Sequence, residues 1–169
     1  MGWSLYLIFI IALILLLVSA ILISIAAGEI NKNKERKNDP NLSAAYNYLV
    51  AGSIISWISV AIGITLFVII LVQIANNNKT MEKYDQRDKH ALILGLMVAC
   101  FALAAINGVL AAIAASKMLM SENFSTKSES DKRAYNLAVA SAILGFGVVV
   151  VILTIILVYY GTKKTCKVE

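Results

Sequence analysis

The chain has little of what chemistry usually needs. Its 169 residues include one histidine, one proline and two cysteines. The histidine, His90, follows Asp88-Lys89 at the start of an apolar run, where a solvated imidazole is the default. Two cysteines are too few for a disulfide scaffold. Cys100 lies inside an apolar run and Cys166 in the tail, so they are not expected to meet. Cys166, among Lys163, Lys164 and Lys167, is a candidate S-acylation site, with a free tail thiol as the plainer alternative. No Asp, Glu, Lys, Arg or His stands deep in any apolar run. Buried ionisable groups mark proton relays, ion pathways and intramembrane catalysis, and none is expected here. No cluster with metal-ligand spacing, no nucleophile–base pairing and no glycine-rich phosphate loop is legible. The chain is therefore read as non-enzymatic, without catalytic, cofactor-binding or metal residues.

What is present is hydrocarbon. Hydrophobic residues make up 60% of the chain, and mean hydropathy is +0.80. Four uncharged runs stand out, over about 3–28, 42–78, 91–116 and 134–162. Each exceeds the ~20 residues that cross a ~30 Å hydrocarbon core at ~1.5 Å per residue. Backbone amides in lipid must be satisfied within the segment or in a closed barrel, and long runs without alternation are helices. The expected fold is all-α integral membrane, with helices over 3–28, 42–78, 91–120 and 132–162 in a single membrane domain spanning 1–169. The connections are short, and no soluble domain fits into them.

The first run is read as a span rather than a secretion signal. Its opening Gly2-Trp3-Ser4 carries no charge and its apolar stretch is longer than a signal core. Tyr6 stands where a myristoylation motif wants Ser or Thr. Asp39-Pro40-Asn41-Leu42-Ser43 offers capping oxygens and a proline before the second span, and Ser130-Asp131 does the same before the fourth. Trp3, Tyr46, Tyr135, Tyr159 and Tyr160 fall near run ends and are expected to anchor at the membrane interface.

Charge does not orient the protein. Seven bases share the side of the 79–90 loop and the tail, and eight share the opposite side, so the positive-inside rule has nothing to act on. The sequons at Asn41 and Asn123 fall on one side and that at Asn78 on the other, so they do not help. The net charge of +5 is spread over mixed loops. Arg36-Lys37, Lys132-Arg133 and Lys163-Lys164 are candidates for contact with anionic headgroups. Nucleic acid would require a denser, one-sided patch and is not expected as a partner.

One unit is written twice. Ala45-Tyr46-Asn47 recurs as Ala134-Tyr135-Asn136, 89 positions on. Val50, Ala51, Ile54, Val60 and Thr65 then meet identical residues at Val139, Ala140, Ile143, Val149 and Thr154. An apolar run precedes each copy, so the chain reads as two tandem hairpins, about 3–78 and 91–164. Two spans return the chain to its starting side, so the copies lie parallel, unlike the inverted repeats of many transporters. The expected assembly is a four-helix bundle.

In lipid, helices associate through close approach of small residues and interhelical hydrogen bonds. Cys100, Ala104, Gly108, Ala112 and Ser116 recur every four positions. This ridge predicts that the third helix is the most buried, with the Leu/Ile-rich first helix facing lipid over most of its surface. Gly52 and Ser56 correspond under the repeat to Ser141 and Gly145, a shared packing pair. Trp57 and Phe146, beside them, are expected to fill the core. Asn107 is the deepest polar side chain. It is either an interhelical hydrogen-bonding group or, with Ser53, Ser56, Ser59 and Thr65, a pore contact in an oligomer.

A doubled hairpin of this size superficially resembles the proteolipid ring subunit of the vacuolar proton pump. The mid-membrane carboxylate of that family has no counterpart here, so its function does not carry over. Spans rich in Ile, Leu and Val joined by Asn/Lys/Ser loops, with segments such as Ala44-Ala45-Tyr46-Asn47-Tyr48-Leu49 and Ile55-Ser56-Trp57-Ile58-Ser59, resemble small multi-pass virion membrane proteins of large DNA viruses. That resemblance is one of composition, and it implies residence in a virion's internal membrane with capsid contacts through the loops. The expected role is a structural membrane protein that associates with itself, with other membrane proteins or with a capsid layer. An oligomeric channel and an accessory subunit of a larger membrane complex are the alternatives.

Overall fold

The computed structural model describes residues 3–76, 85–124 and 128–165, with side chains placed at 7 and 157 and over 9–72, 94–124 and 128–154. Four helices account for nearly all of it: α1 (Trp3–Asn31), α2 (Pro40–Asn76), α3 (Asp85–Leu119) and α4 (Glu129–Thr165). A single 3₁₀ turn, Lys34–Lys37, joins α1 to α2. No strand occurs among the described residues. Within the helices, the spans Phe9–Asn31, Pro40–Val72, Leu94–Leu119 and Glu129–Thr154 are long and apolar enough to cross a bilayer. The chain is an integral, multi-pass membrane protein.

Helix ends depart from the sequence expectation for local reasons. The first helix runs three residues past position 28, because Ile30 is fully buried and the Glu29 carboxylate is held by Lys32 Nζ and the Ser130 hydroxyl. The second starts at Pro40, where a missing N–H costs nothing, and the backbone N–H groups of Asn41 and Leu42 donate to Asp39 Oδ1 at 2.8 and 3.1 Å. The third begins at Asp85, so the charged turn before Ala91 is helical. At 33 residues, the α2 span is ~50 Å long, well beyond the hydrocarbon thickness.

Each helix packs on its neighbours in sequence, and α1 also packs on α4. The buried residues form two apolar layers. One gathers Ile23, Ala26, Ala27, Ile30, Leu42, Ala45, Leu49, Ala111, Ala114, Ala115, Met118, Ala134, Ala138 and Ala142. Nine of these fourteen are alanine, which lets the backbones approach closely where lipid supplies no hydrophobic force. The other gathers Leu16, Ala20, Val60, Cys100, Ala104, Val148 and Ile152. Phe9 stacks on Phe67 with ring centroids 6.0 Å apart, tying the start of α1 to the end of α2.

The third helix is not the most buried. The most apolar windows of α1 and α4 are 33% buried, those of α2 and α3 28%. The predicted ridge on α3 also breaks: Cys100, Ala104 and Gly108 are buried, but Ala112 and Ser116 face outward. An i, i+4 row drifts by about 40° per step around a helix of 3.6 residues per turn, so it leaves any straight contact face within a few turns. The buried line instead steps by threes and fours through Cys100, Ala104, Asn107, Ala111, Ala114 and Met118. The first helix has the same line through Ala12, Leu16, Ser19, Ile23, Ala26 and Ile30. It therefore packs as deeply as any other helix, while Ile10, Ile11, Ile14, Leu17, Val18, Ile21 and Ile25 stay exposed on the outward face expected of it.

Candidate functional site

The two apolar layers are separated by a polar one. Ser19 on α1, Asn107 on α3 and Ser141 on α4 are 1%, 3% and 0% exposed. Asn107 Nδ2 donates to Ser19 Oγ at 3.1 Å. The Ser19 and Ser141 hydroxyls lie 3.0 Å apart, and each also reaches the other's backbone carbonyl at 3.3 Å. The second helix contributes Gly52 by having no side chain. A Cβ there would sit 2.5 Å from Ile23 Cδ1 and 3.2 Å from Asn107 Oδ1. All four helices thus meet at one level, with three supplying hydrogen-bonding groups and the fourth supplying room.

Two buried oxygens in this region, Asn107 Oδ1 and Ser56 Oγ, have no hydrogen-bond partner among the described residues. Beside the node, Ser24 Oγ donates to Ala20 O at 2.7 Å and lies 2.7 Å from Ser53 Oγ. Trp57 Nε1 donates to Ser24 Oγ at 3.2 Å. Trp57 and Phe146 are nevertheless 46% and 44% exposed, which corrects their placement in the core. They follow the buried Ser56 and Gly145 by one residue, a rotation of about 100° that brings them to the flank.

The small-residue pairs are all buried: Gly52, Ser56, Ser141 and Gly145. Gly145 makes the closest approach to another helix's backbone. A Cβ there would meet Gly108 Cα at 3.0 Å, Gly108 N at 3.1 Å and Ala104 O at 3.3 Å, all of them backbone. The expected Ser/Thr face of α2 divides. Ser56 and Ser59 turn inward, Ser59 bonding to its own Ile55 O, while Thr65 is exposed and bonds back to Ala61 O at 2.9 Å. The Cys100 thiol is buried and donates to Ser59 O at 3.9 Å. An apolar cavity of ≈ 20 Å³ lies near it, lined by Phe9, Leu13, Leu16, Gly63, Leu66, Met97 and Ile152 among others.

A second polar assembly closes one end of the protein. Asp39 is 5% exposed; besides its two backbone donors it receives the Ser121 hydroxyl and Asn123 Nδ2 at Oδ2. The Ser121 hydroxyl above all, then the Leu42 N–H, the Asn123 amide and the Asn41 N–H, lower its pKa from 3.8 to about 2 against the opposing cost of burial. Asp131, 3% exposed, receives Asn33 Nδ2 at both oxygens, 3.2 Å each. Ser130 Oγ donates to Glu29 Oε2 at 3.1 Å. The connection after α1 thus bonds to the start of α4, and the connection after α3 bonds to the start of α2. Tyr46 and Tyr135 sit half-buried just inside this end. The Arg36 guanidinium lies 4.2 Å over the Tyr46 ring, and Tyr135 tilts against Phe124 at 6.3 Å. Among the described residues, no three of His, Cys, Asp and Glu converge as metal ligands would. The side chains of Trp3, His90, Tyr159 and Tyr160, and the whole of Cys166, lie outside the described residues.

Sequence reasoning found Asn107 but not its partner. Ser19 reads like any serine in an apolar span, and only its spacing of three from Leu16 and four from Ile23 hints that it faces inward. Asp39 is legible as a cap, but Ser130-Asp131 is not the cap expected of it: α4 starts at Glu129, and the Asp131 N–H donates to Ser128 Oγ at 3.5 Å. The side-chain partners of both aspartates lie 82 to 98 positions away and carry no local signal. Comparison with known proteins gives no counterpart: no family model, curated protein or solved structure matches the chain.

Proposed function

We propose that this is a non-enzymatic structural membrane protein. In this reading it is a four-helix bundle of two tandem hairpins that organises a bilayer or holds a protein layer, such as a capsid, against it. The observation that carries the reading is where the intramembrane polar groups go. Ser19, Ser24, Ser53, Asn107 and Ser141 hydrogen-bond between helices, while Ser59, Thr65 and Thr154 bond to their own backbone. Polar groups spent in this way hold helices in register. With Asn107, Ser56 and Ser59 turned inward, a pore between copies would have to be lined by other residues.

The tandem reading has its own support in burial. Leu42, Ala45, Leu49, Gly52, Ser56, Ser59 and Gly63 of α2 are buried, as are the residues 89 positions on, from Asp131 to Ile152 in α4. In the first and third helices the buried lines coincide at a shift of 88: Ala12 with Cys100, Ser19 with Asn107, Ile23 with Ala111, Ile30 with Met118. Thr65 and Thr154 make the same back-bond at the same 2.9 Å. The node follows this pattern, since Ser19 and Ser141 correspond to Asn107 and Gly52. The first half supplies Ser19 and the room at Gly52, the second Asn107 and Ser141.

Two measurements test the role. Purification in mild detergent is expected to recover either stoichiometric self-association or a co-purifying membrane or capsid-type protein. Reconstituted liposomes are expected to stay tight to ions. Selective conductance lost on Asn107→Leu would overturn the structural reading in favour of a channel.

A further inference from the structure

The end of the protein that carries the 3₁₀ turn is nearly neutral by count, with seven bases and six acids among its described residues. Half of its acids are nevertheless withdrawn from the surface, with Glu35, Glu122 and Glu129 left exposed. Glu29, Asp39 and Asp131 are only 8%, 5% and 3% exposed, whereas no described base at this end is buried. The buried acids are served largely by neutral donors: the Ser121 hydroxyl, the Asn33 and Asn123 amides, the Ser130 hydroxyl and backbone N–H groups. Four of the seven bases are engaged: Lys32 closes on Glu29 at 2.9 Å, Arg133 stands 3.8 Å from the same carboxylate with its side chain 63% exposed, Arg36 lies over the Tyr46 ring and Lys117 Nζ donates to Asn41 Oδ1 at 3.5 Å. Lys34, Lys37 and Lys132 are exposed and make no ion pair with the described residues. Tyr46 and Tyr135, one to two turns further into α2 and α4, mark interfacial depth. The outward cations therefore lie at the level of lipid phosphates.

We propose that this end binds the phosphates of anionic phospholipids through Lys34, Lys37, Lys132 and Arg133. The proposal rests on residence in a bilayer, not on the structural role argued above. The same chemistry would attract free phosphate, but membrane placement favours the headgroup, which is held at this depth by its own acyl chains. The test uses the full chain in bilayers of phosphatidylcholine containing phosphatidylglycerol, with spin-labelled versions of each lipid reporting the motionally restricted fraction. The expected result is a preference for phosphatidylglycerol of about fivefold at low salt, the contribution of roughly one engaged base. It should fall towards unity in sodium chloride and in the Lys34→Gln, Lys37→Gln, Lys132→Gln, Arg133→Gln variant. A Lys34→Arg, Lys37→Arg, Lys132→Arg variant, which keeps the charge, should keep the preference. Equal association of the two lipids, or a preference untouched by the glutamine changes while the arginine variant behaves as wild type, would overturn the proposal. Displacement by inorganic phosphate beyond that by sodium chloride of equal ionic strength would assign the site to the free anion instead, and would also overturn it.

Discussion

At the scale of single residues, the polar node makes an ordered prediction. Ser19 touches both other members, so Ser19→Ala orphans the Asn107 amide and removes one of the two partners of Ser141, which keeps the Ser19 carbonyl. Ser141→Ala leaves the Asn107–Ser19 bond in place. Ser19→Ala is therefore expected to cost about 1–2 kcal/mol and Ser141→Ala less, within the range of interhelical hydrogen bonds in membranes. Unfolding by SDS titration in mixed micelles would read the order, and a larger loss for Ser141→Ala would contradict the geometry.

The glycines separate just as sharply. Gly145 faces the Gly108 backbone at 3.0 Å from a notional Cβ, whereas a Cβ on Gly147 would meet nothing within 4 Å. Gly145→Val is expected to destabilise by about 1–3 kcal/mol through overpacking. Gly147→Ala should be neutral, or stabilising by up to about 1 kcal/mol through helix propensity. Thermal melts of the two variants in one detergent check this directly.

At the scale of elements, Asp39 caps α2 and also pins the chain after α3 through Ser121 and Asn123. Its folded pKa is lowered from 3.8 to about 2. A depressed carboxylate pKa means that the folded state favours the charged form. The stabilisation is thus fully present above the unfolded value near 4 and is lost as pH falls through about 2. Asp39→Asn should remove this step from a plot of stability against pH between those values, and should cost stability at neutral pH. An unchanged acid limb in the variant would show that other carboxylates dominate it. The element scale is also where sequence reading was least able to judge packing. Spacing by four picked out a small-residue row on α3, but a row is not a face. Ala112 and Ser116 drift outward while Asn107, Ala111 and Met118 take their places, because the helix repeats every 3.6 residues rather than every four.

At the scale of the whole molecule, the contacts join α1 to α2 and α3 to α4 within each half, and α1 to α4 and α2 to α3 between halves. If the halves are tandem hairpins, fragments 1–78 and 79–169 co-expressed in one membrane should reassemble and co-purify. Ser19→Leu should weaken that recovery, since Ser19 bonds only across the halves, to Asn107 and Ser141. Failure of the wild-type fragments to associate would argue that the 77–84 connection does more than link them.

The sequence by itself determined four apolar spans without charge in their depth, and with them membrane residence and the Asp39 cap of the second helix. These follow from length, hydropathy and local capping chemistry, which neighbouring residues suffice to specify. It also exposed the doubled unit, because identity at a fixed spacing is visible without coordinates. Only the tertiary structure decided that α1 is as deeply packed as its partners, that Trp57 and Phe146 face outward, and that Asn107 answers to Ser19. Only it could sort the charges at one end, placing three carboxylates inside and the bases outside. Those outcomes depend on which helix lies against which, a relation between groups about 90 to 120 residues apart that hydropathy and spacing do not encode.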